Sequence, residues 1–242
     1  MIQMSKTIIA FLQYKNFETK NQYKEIFDGG KVLYACHNVS QNLGEPEPEW
    51  HEIIFIRFSE EEYHEAINRL NAQKTKLINY KVLLIDPLPE KQILKMNEAM
   101  RSLANSSTVI STGEVHKGIA RKVVNQNAQQ SESFINRDES QPLGMVILNR
   151  YQNLKAISRY GSVVGKYLAK FGVYIKLRGN VLTTIVGKNN ISWDGFNLVR
   201  YPSVAIFKKI LSLKDVQESL DHKDNGLVKT EVYATLPYDE FL

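Results

Sequence analysis

The feature that most constrains this chain is an internal duplication. Residues 50–58 (WHEIIFIRF) and residues 193–201 (WDGFNLVRY) each begin with tryptophan, continue with apolar residues at matching places, and end with arginine and an aromatic residue. The segment occurs twice, and a long stretch of chain separates its two copies. Two copies at such a period predict two compact units of one fold, because a solenoid needs more and shorter repeats.

The match extends beyond the two tryptophan segments. Three further pairs of segments correspond: residues 14–16 with 151–153, residues 30–38 with 172–180, and residues 82–87 with 232–237. The spacing between corresponding blocks drifts, so insertions fall between them, where loops and helix ends tolerate changes in length. The regular elements of the two copies are therefore expected to superpose.

Each copy shows the same predicted order of elements. Residues 7–14 form an apolar run of strand length, and in the second copy residues 145–151 take this place. Ile157, Tyr160 and Val164 then recur at helical spacing. A capping box, Ser-Glu-Glu-Glu at residues 59–62, predicts the start of another helix. We predict an α+β fold with two tandem ferredoxin-like (β-α-β-β-α-β) repeats.

The copies are joined by a segment of different composition. Residues 90–103 have partly periodic apolar residues and are predicted to form a helix. Residues 125–141 are rich in Asn, Gln, Ser and charge, which is typical of a flexible tether, with a binding segment as the alternative. The predicted division is a first repeat over 1–89, a helix and linker over 90–141, and a second repeat over 142–242.

Composition narrows the class of protein and its partners. Among 242 residues, 43% are hydrophobic, and 31 basic residues face 26 acidic ones, for a net charge of +5. That excess is modest and spread out, so nucleic acid is not the expected partner. No apolar run approaches the about 18 residues of a membrane helix, and the first residues do not resemble a signal peptide. A cytoplasmic protein without a membrane partner is expected.

No cofactor or metal is predicted. The single cysteine, Cys36, excludes an internal disulfide and a multi-cysteine metal site. Cys36 and His37 are neighbours on a predicted strand and point to opposite faces, which argues against a catalytic pair. The glycines form no Walker or Rossmann pattern. The five histidines show no metal-ligand spacing: His37, His51, His64, His116 and His222.

The second copy resembles a known family. Residues 170–179 (KFGVYIKLRG) resemble the helix end and second strand of the domain-of-unknown-function family 1330. Residues 193–203 resemble its tryptophan, hydrophobic strand and Phe-Pro-Ser helix start. The likeness covers residues 143–237 and, more faintly, residues 6–88. Arg200 departs from the family, since an acidic residue is more usual at that place.

This resemblance implies a barrel and a set of activities. The family belongs to the dimeric α+β barrel superfamily, beside antibiotic-biosynthesis monooxygenases and muconolactone-isomerase-like proteins. Members pair two ferredoxin-like units sheet to sheet into a closed barrel. Here the second copy replaces the second subunit, which predicts a monomeric pseudo-dimer or a weak homo-oligomer.

Candidate ligand-binding residues lie in the second copy: Tyr151, Arg178, Trp193, Arg200 and Tyr201. Arg178 follows one apolar strand and Arg200 ends another, and a guanidinium fork suits a carboxylate or enolate oxygen. The aromatic residues would wall the pocket. The alternatives are solvated arginines at strand ends and aromatic residues that serve only core packing. The first copy has Arg57 and Phe58 at equivalent places, and we expect it to act mainly as a cover.

Two classes of function follow. The first is a small-molecule-binding or accessory protein whose ligand is small, anionic and partly apolar. The alternative is a cofactor-independent monooxygenase-like or isomerase-like enzyme, in which an arginine steadies an enolate and a Tyr or His moves a proton. No catalytic residue is assigned from the sequence. A barrel interior filled by side chains would favour neither class and would leave a structural or interaction role.

Overall fold

Eight strands close into one antiparallel barrel in the computed structural model. The structure describes residues 5–16, 22–43, 48–105, 108–109, 138–186 and 192–241. The strands are β1 (Ser5–Tyr14), β2 (Lys31–Leu43), β3 (Glu52–Ser59), β4 (Leu77–Pro87), β5 (Leu143–Tyr151), β6 (Tyr174–Val186), β7 (Gly195–Tyr201) and β8 (Leu227–Pro237). The helices are α1 (Tyr23–Ile26), α2 (Glu60–Ala72), α3 (Glu90–Ala104), α4 (Leu154–Lys170), α5 (Val204–Leu211) and α6 (Lys214–Gly226).

The strand order confirms the predicted fold class. Around the barrel the order is β1-β3-β2-β8-β5-β7-β6-β4, and every neighbouring pair is antiparallel. Each half therefore has the ferredoxin-like arrangement, with its first and third strands at the centre of its own sheet. The halves join where β2 pairs with β8 and where β4 pairs with β6. The chain forms an intramolecular α+β barrel.

Side chains on each strand alternate between two cores. On β1, Ile9 and Phe11 point into the barrel, while Ile8 and Ala10 pack beneath the helices of the first half. The barrel interior is filled mainly by apolar and aromatic side chains. A separate core lies between the second sheet and its helices. These near-continuous apolar strands are explained by burial on both faces.

The helix predicted from the capping box and the helix predicted after the first repeat are both observed. Ser59 caps α2, where its hydroxyl accepts from the Glu62 backbone N–H, and the Glu62 carboxylate accepts from the Ser59 N–H at 2.9 Å. Helix α3 forms where the sequence predicts it. The Asn97 side chain of α3 donates to the Ile175 carbonyl at 2.9 Å and accepts from its N–H at 3.0 Å. Helix α3 thus packs on the second half.

The linker prediction falls largely outside the described residues, which include only 138–141 of residues 125–141. The division of the chain at residues 89 and 141 therefore stays a prediction.

The C-terminal turn of the second half lies on the first half. The backbone N–H of Tyr238 donates to the Ala35 carbonyl at 3.2 Å, and its hydroxyl donates to the buried Glu52 carboxylate. Phe241 in the following turn lies with its ring centre 5.8 Å from that of Tyr34. This crossing brings C-terminal residues to one end of the barrel.

Candidate functional site

Arg200 lies inside the barrel at the end where β7 finishes and β5 begins. It pairs across strands with Gly144, and only 5% of its surface is exposed. One guanidinium nitrogen, Nη1, donates to the Tyr34 hydroxyl at 3.2 Å. The guanidinium carbon lies 5.9 Å from the centre of the Tyr34 ring. A cation of the second half therefore contacts a tyrosine of the first.

The close approach of these groups depends on Gly144. A Cβ atom there would lie 2.3 Å from the Tyr34 hydroxyl and 2.8 Å from Thr235 Oγ1, both too close for any side chain. Thr235 donates from its hydroxyl to the Gly144 carbonyl at 2.9 Å. Glycine thus leaves room for two hydroxyl groups beside the guanidinium.

In the part of the chain that the structure describes, Arg200 has no counter-charge, although a buried cation usually has one. Among the described residues it forms no ion pair, and its Nε–H has no hydrogen-bond acceptor. Buried charges in proteins are normally paired, because leaving water without a partner is costly. Within the described part of the chain, the buried guanidinium of Arg200 therefore keeps one N–H without an acceptor.

The neighbouring acidic protons stay in place at neutral pH. Burial is the largest cause that raises the pKa of Tyr34 above its ordinary value, and Arg200 opposes this rise only in part. Burial also raises the pKa of Cys36 to about 12. The Cys36 thiol, which donates to the Ile53 carbonyl, is therefore not poised as a nucleophile. Tyr34 remains a hydroxyl that can donate a hydrogen bond.

The structure does not gather the five predicted residues at one site. Tyr201 points to the face opposite Arg200 and packs on Phe207 at a ring distance of 5.3 Å. Neighbours on a strand must diverge in this way, which the expectation of a shared pocket overlooked. Arg178 pairs with Asn197 on that same outer face.

The other two predicted residues lie away from Arg200. Trp193 is buried in the barrel interior, with the Lys229 ammonium 5.3 Å from its ring. Tyr151 is half-buried at the far end of β5, and its backbone N–H donates to the Asp194 carboxylate at 2.7 Å. Only Arg200 of the five reaches the cluster with Tyr34 and Thr235. The ligand-binding role of all five stays a prediction.

Tyr34 and Thr235 were not found from the sequence. They lie on β2 and β8, which pair only because the barrel closes between the two halves. No local sequence pattern predicts the pairing of β2 with β8. The signal available was that each strand carries a hydroxyl side chain at a position facing the barrel interior.

The residue equivalent to Arg200 in the first half, Arg57, has a different setting. It is exposed, and its Nε donates weakly to Thr7 Oγ1 at 3.5 Å. Arg57 lines an open depression of about 230 Å³ together with Ser5, Gly29, Lys31, Phe58, Ser59 and Glu62. The depression mixes basic and acidic groups, and the Glu62 carboxylate is already engaged in capping α2. Arg57 is thus a solvated counterpart of the buried Arg200.

Within the described ranges, no group of three or more His, Cys, Asp or Glu residues is placed to hold a metal ion. No helix in the same part of the chain has both the length and the apolar character needed to cross a membrane.

Comparisons with known proteins add a set of distant structural likenesses. No protein-family model and no curated protein matches the chain. A protein of unknown function from Rhodopseudomonas palustris, 19% identical, aligns over 49% of this chain and 99% of its own, with a TM-score of 0.45. A provisionally named monooxygenase from Lactobacillus acidophilus is 9% identical over 96% of this chain and 93% of its own, with a TM-score of 0.44.

A second provisionally named monooxygenase, from Fusobacterium nucleatum, is 7% identical over 98% of this chain and 94% of its own, with a TM-score of 0.47. At such identities and scores, the fold of this chain is read from its own strand order.

Proposed function

We propose that this protein binds a small, anionic, partly apolar molecule at Arg200, inside one end of the barrel. The observation that carries the proposal is the buried guanidinium with an unsatisfied Nε–H and no ion pair among the described residues. An anionic ligand would supply the missing counter-charge. Fixed donors in a site of low dielectric favour such a charge more strongly than donors in water do.

The neighbouring groups set the shape of the ligand. A carboxylate would accept from the guanidinium fork, and the Tyr34 hydroxyl would give a further donor. Charge-assisted hydrogen bonds of this kind contribute about 1.5–3 kcal/mol. The rings of Phe55 and Phe241 lie 6.2 Å and 5.8 Å from that of Tyr34 and would contact the apolar part.

The packed interior limits both size and access. Aromatic and aliphatic side chains fill most of the barrel, which by itself favours neither class of function, so the proposal rests on the end near Arg200, where a small ligand would enter. Phe241 is only half-buried and belongs to a short C-terminal turn. Displacement of this turn would open a route to Arg200.

The finer assignments belong to the same proposal. The likeness of residues 170–179 and 193–203 supports membership of the domain-of-unknown-function family 1330. Closure of the barrel within one chain supports a monomeric pseudo-dimer rather than a weak homo-oligomer. The buried, unpaired thiol of Cys36 is in keeping with a cytoplasmic location.

A cofactor-independent monooxygenase-like or isomerase-like enzyme is the second candidate. It is favoured by the Tyr34 hydroxyl, which lies 3.2 Å from an arginine nitrogen. In an isomerase-like reaction on an enol, Tyr34, kept protonated by burial, would donate its proton to carbon and regain one from the enol hydroxyl, while Arg200 holds the developing enolate oxygen. Tyr34→Phe separates the two roles. A binding protein would lose only the affinity that one hydrogen bond contributes, whereas an enzyme would lose turnover as well.

The test of binding is a thermal-shift screen with small aromatic and aliphatic carboxylic acids. Wild type is compared with Arg200→Gln and with Arg57→Gln, the matched control at the equivalent position of the first half. We expect acids that raise the melting temperature of wild type and Arg57→Gln to have little effect on Arg200→Gln. If Arg57→Gln loses the response and Arg200→Gln keeps it, the ligand binds at the open depression and the proposal is wrong.

A further inference from the structure

A buried ion pair lies near the axis of the barrel. Lys81 on β4 contacts Glu231 on β8, with 3.2 Å between Nζ and Oε2, and the two side chains are 8% and 0% exposed. The Tyr233 hydroxyl donates to the same carboxylate oxygen at 2.7 Å. The Lys81 ammonium also lies 4.7 Å from the centre of the Phe11 ring.

The two charged residues occupy equivalent positions in the duplication. Strands β4 (Leu77–Pro87) and β8 (Leu227–Pro237) have 11 residues each and end in proline, so they align residue by residue. In that alignment Lys81 corresponds to Glu231, and Leu83 corresponds to Tyr233. Each strand is the fourth of its own repeat, and the two lie diametrically opposite in the closed order.

Equivalent positions on opposite strands meet across the pseudo-twofold axis. In a barrel built from two identical halves, each of these residues would therefore face a copy of itself. Two first repeats would place Lys81 against Lys81. Two second repeats would place Glu231 against Glu231, although Lys229, at 3.5 Å from Glu231, would partly balance them. The repulsion is therefore strongest between two first repeats.

We infer that the Lys81–Glu231 pair makes the inner face of each half selective for the other half and against a copy of itself. The partner that fits the first half is a sheet carrying a carboxylate at the central position of its fourth strand. Like charges placed together in a site without water disfavour the wrong pairing more than opposite charges favour the right one. Selectivity of this kind cannot arise in a homodimer of identical units, and duplication makes it available.

The test uses two full-length charge-reversal variants, Lys81→Glu and Glu231→Lys. Each variant alone places like charges at the axis of its own barrel. When the two variants are refolded together, the first half of each chain can pair with the second half of the other chain. Both barrels of the resulting dimer then contain one lysine and one glutamate at the axis. We expect a one-to-one heterodimer, measured by native mass spectrometry with one chain isotopically labelled, in excess over either homodimer by at least about tenfold.

Two controls separate selectivity from stability. The double reversal in one chain, Lys81→Glu with Glu231→Lys, should remain monomeric and melt well above either single variant. Reversal of Lys166 and Asp215, an ion pair within the second half, should give no heterodimer on mixing because exchange of halves cannot restore that pair. The inference is overturned if the mixed axial variants give no heterodimer excess, or if the double reversal melts no higher than the single ones.

Discussion

Asn97 provides the most direct test of how α3, in the segment between the repeats, is held on the second half. Strand β4 ends its pairing with β6 at Pro87 and Gly179, so Ile175 lies beyond the reach of that neighbour. The Asn97 side chain satisfies both polar groups of the Ile175 peptide and takes the place of the missing strand. We predict that Asn97→Ala loosens α3 from the second half.

The size of the effect follows from the two hydrogen bonds. Leaving one buried donor and one buried acceptor without a partner costs about 1–3 kcal/mol each. Alanine offsets roughly 0.5 kcal/mol of this, because it is the better helix former. The free energy of unfolding should therefore fall by about 1.5–5.5 kcal/mol. An exposed site on the same helix, Lys95→Ala, should change it by no more than about 0.5 kcal/mol.

The assay is urea unfolding followed by tryptophan fluorescence, with hydrogen exchange read at the Ile175 amide. Asn97→Ala should lower the midpoint without changing the slope, and exchange at Ile175 should become faster. A loss no larger than that of Lys95→Ala, with unchanged exchange at Ile175, would refute the role assigned to Asn97.

Three further predictions follow. Arg200→Met should raise the ligand-free unfolding free energy by about 1–3 kcal/mol, because it removes a buried cation with no ion pair among the described residues; a fall in that free energy, measured by urea unfolding, would reveal a counter-charge. Hydrogen bonds from Lys166 and Tyr167 lower the pKa of Asp215. Its contribution to the free energy of unfolding is therefore fully present above pH 3.8 and is lost as pH falls through the lowered pKa. Asp215→Asn should therefore flatten the acid limb of the melting temperature, and an unchanged limb would contradict this. Limited proteolysis should cut first within the predicted tether, residues 125–141, and a first cut within residues 53–58 would contradict that prediction.

The fold was largely predictable because duplication and burial leave local patterns in the sequence. The tryptophan segments align β3 with β7, and apolar runs such as residues 7–14 indicate strands buried on both faces. The capping box at Ser59 fixed the start of α2. Closure into one barrel was expected from the family resemblance.

The site was less predictable because its members meet only after closure. Arg200 was identified as an anion-binding candidate, but its contact Tyr34 belongs to the other half. Tyr201 was placed in the same pocket although alternation sends it to the opposite face. Likewise, Lys81 and Glu231 lie in strands whose local sequence is compatible with solvent-facing charges. Only the barrel order shows that they point at one another.

The central claim is that Arg200 binds an anion inside the barrel, and a crystal soaked with para-bromobenzoate tests it most directly. Anomalous scattering locates the bromine, and the density around it locates the carboxylate. The account predicts a carboxylate within hydrogen-bond distance of the Arg200 guanidinium and the Tyr34 hydroxyl, with no such ligand in Arg200→Gln crystals. A carboxylate bound only by Arg57 and Lys31 in the open depression, with Arg200 left unpaired, would contradict it.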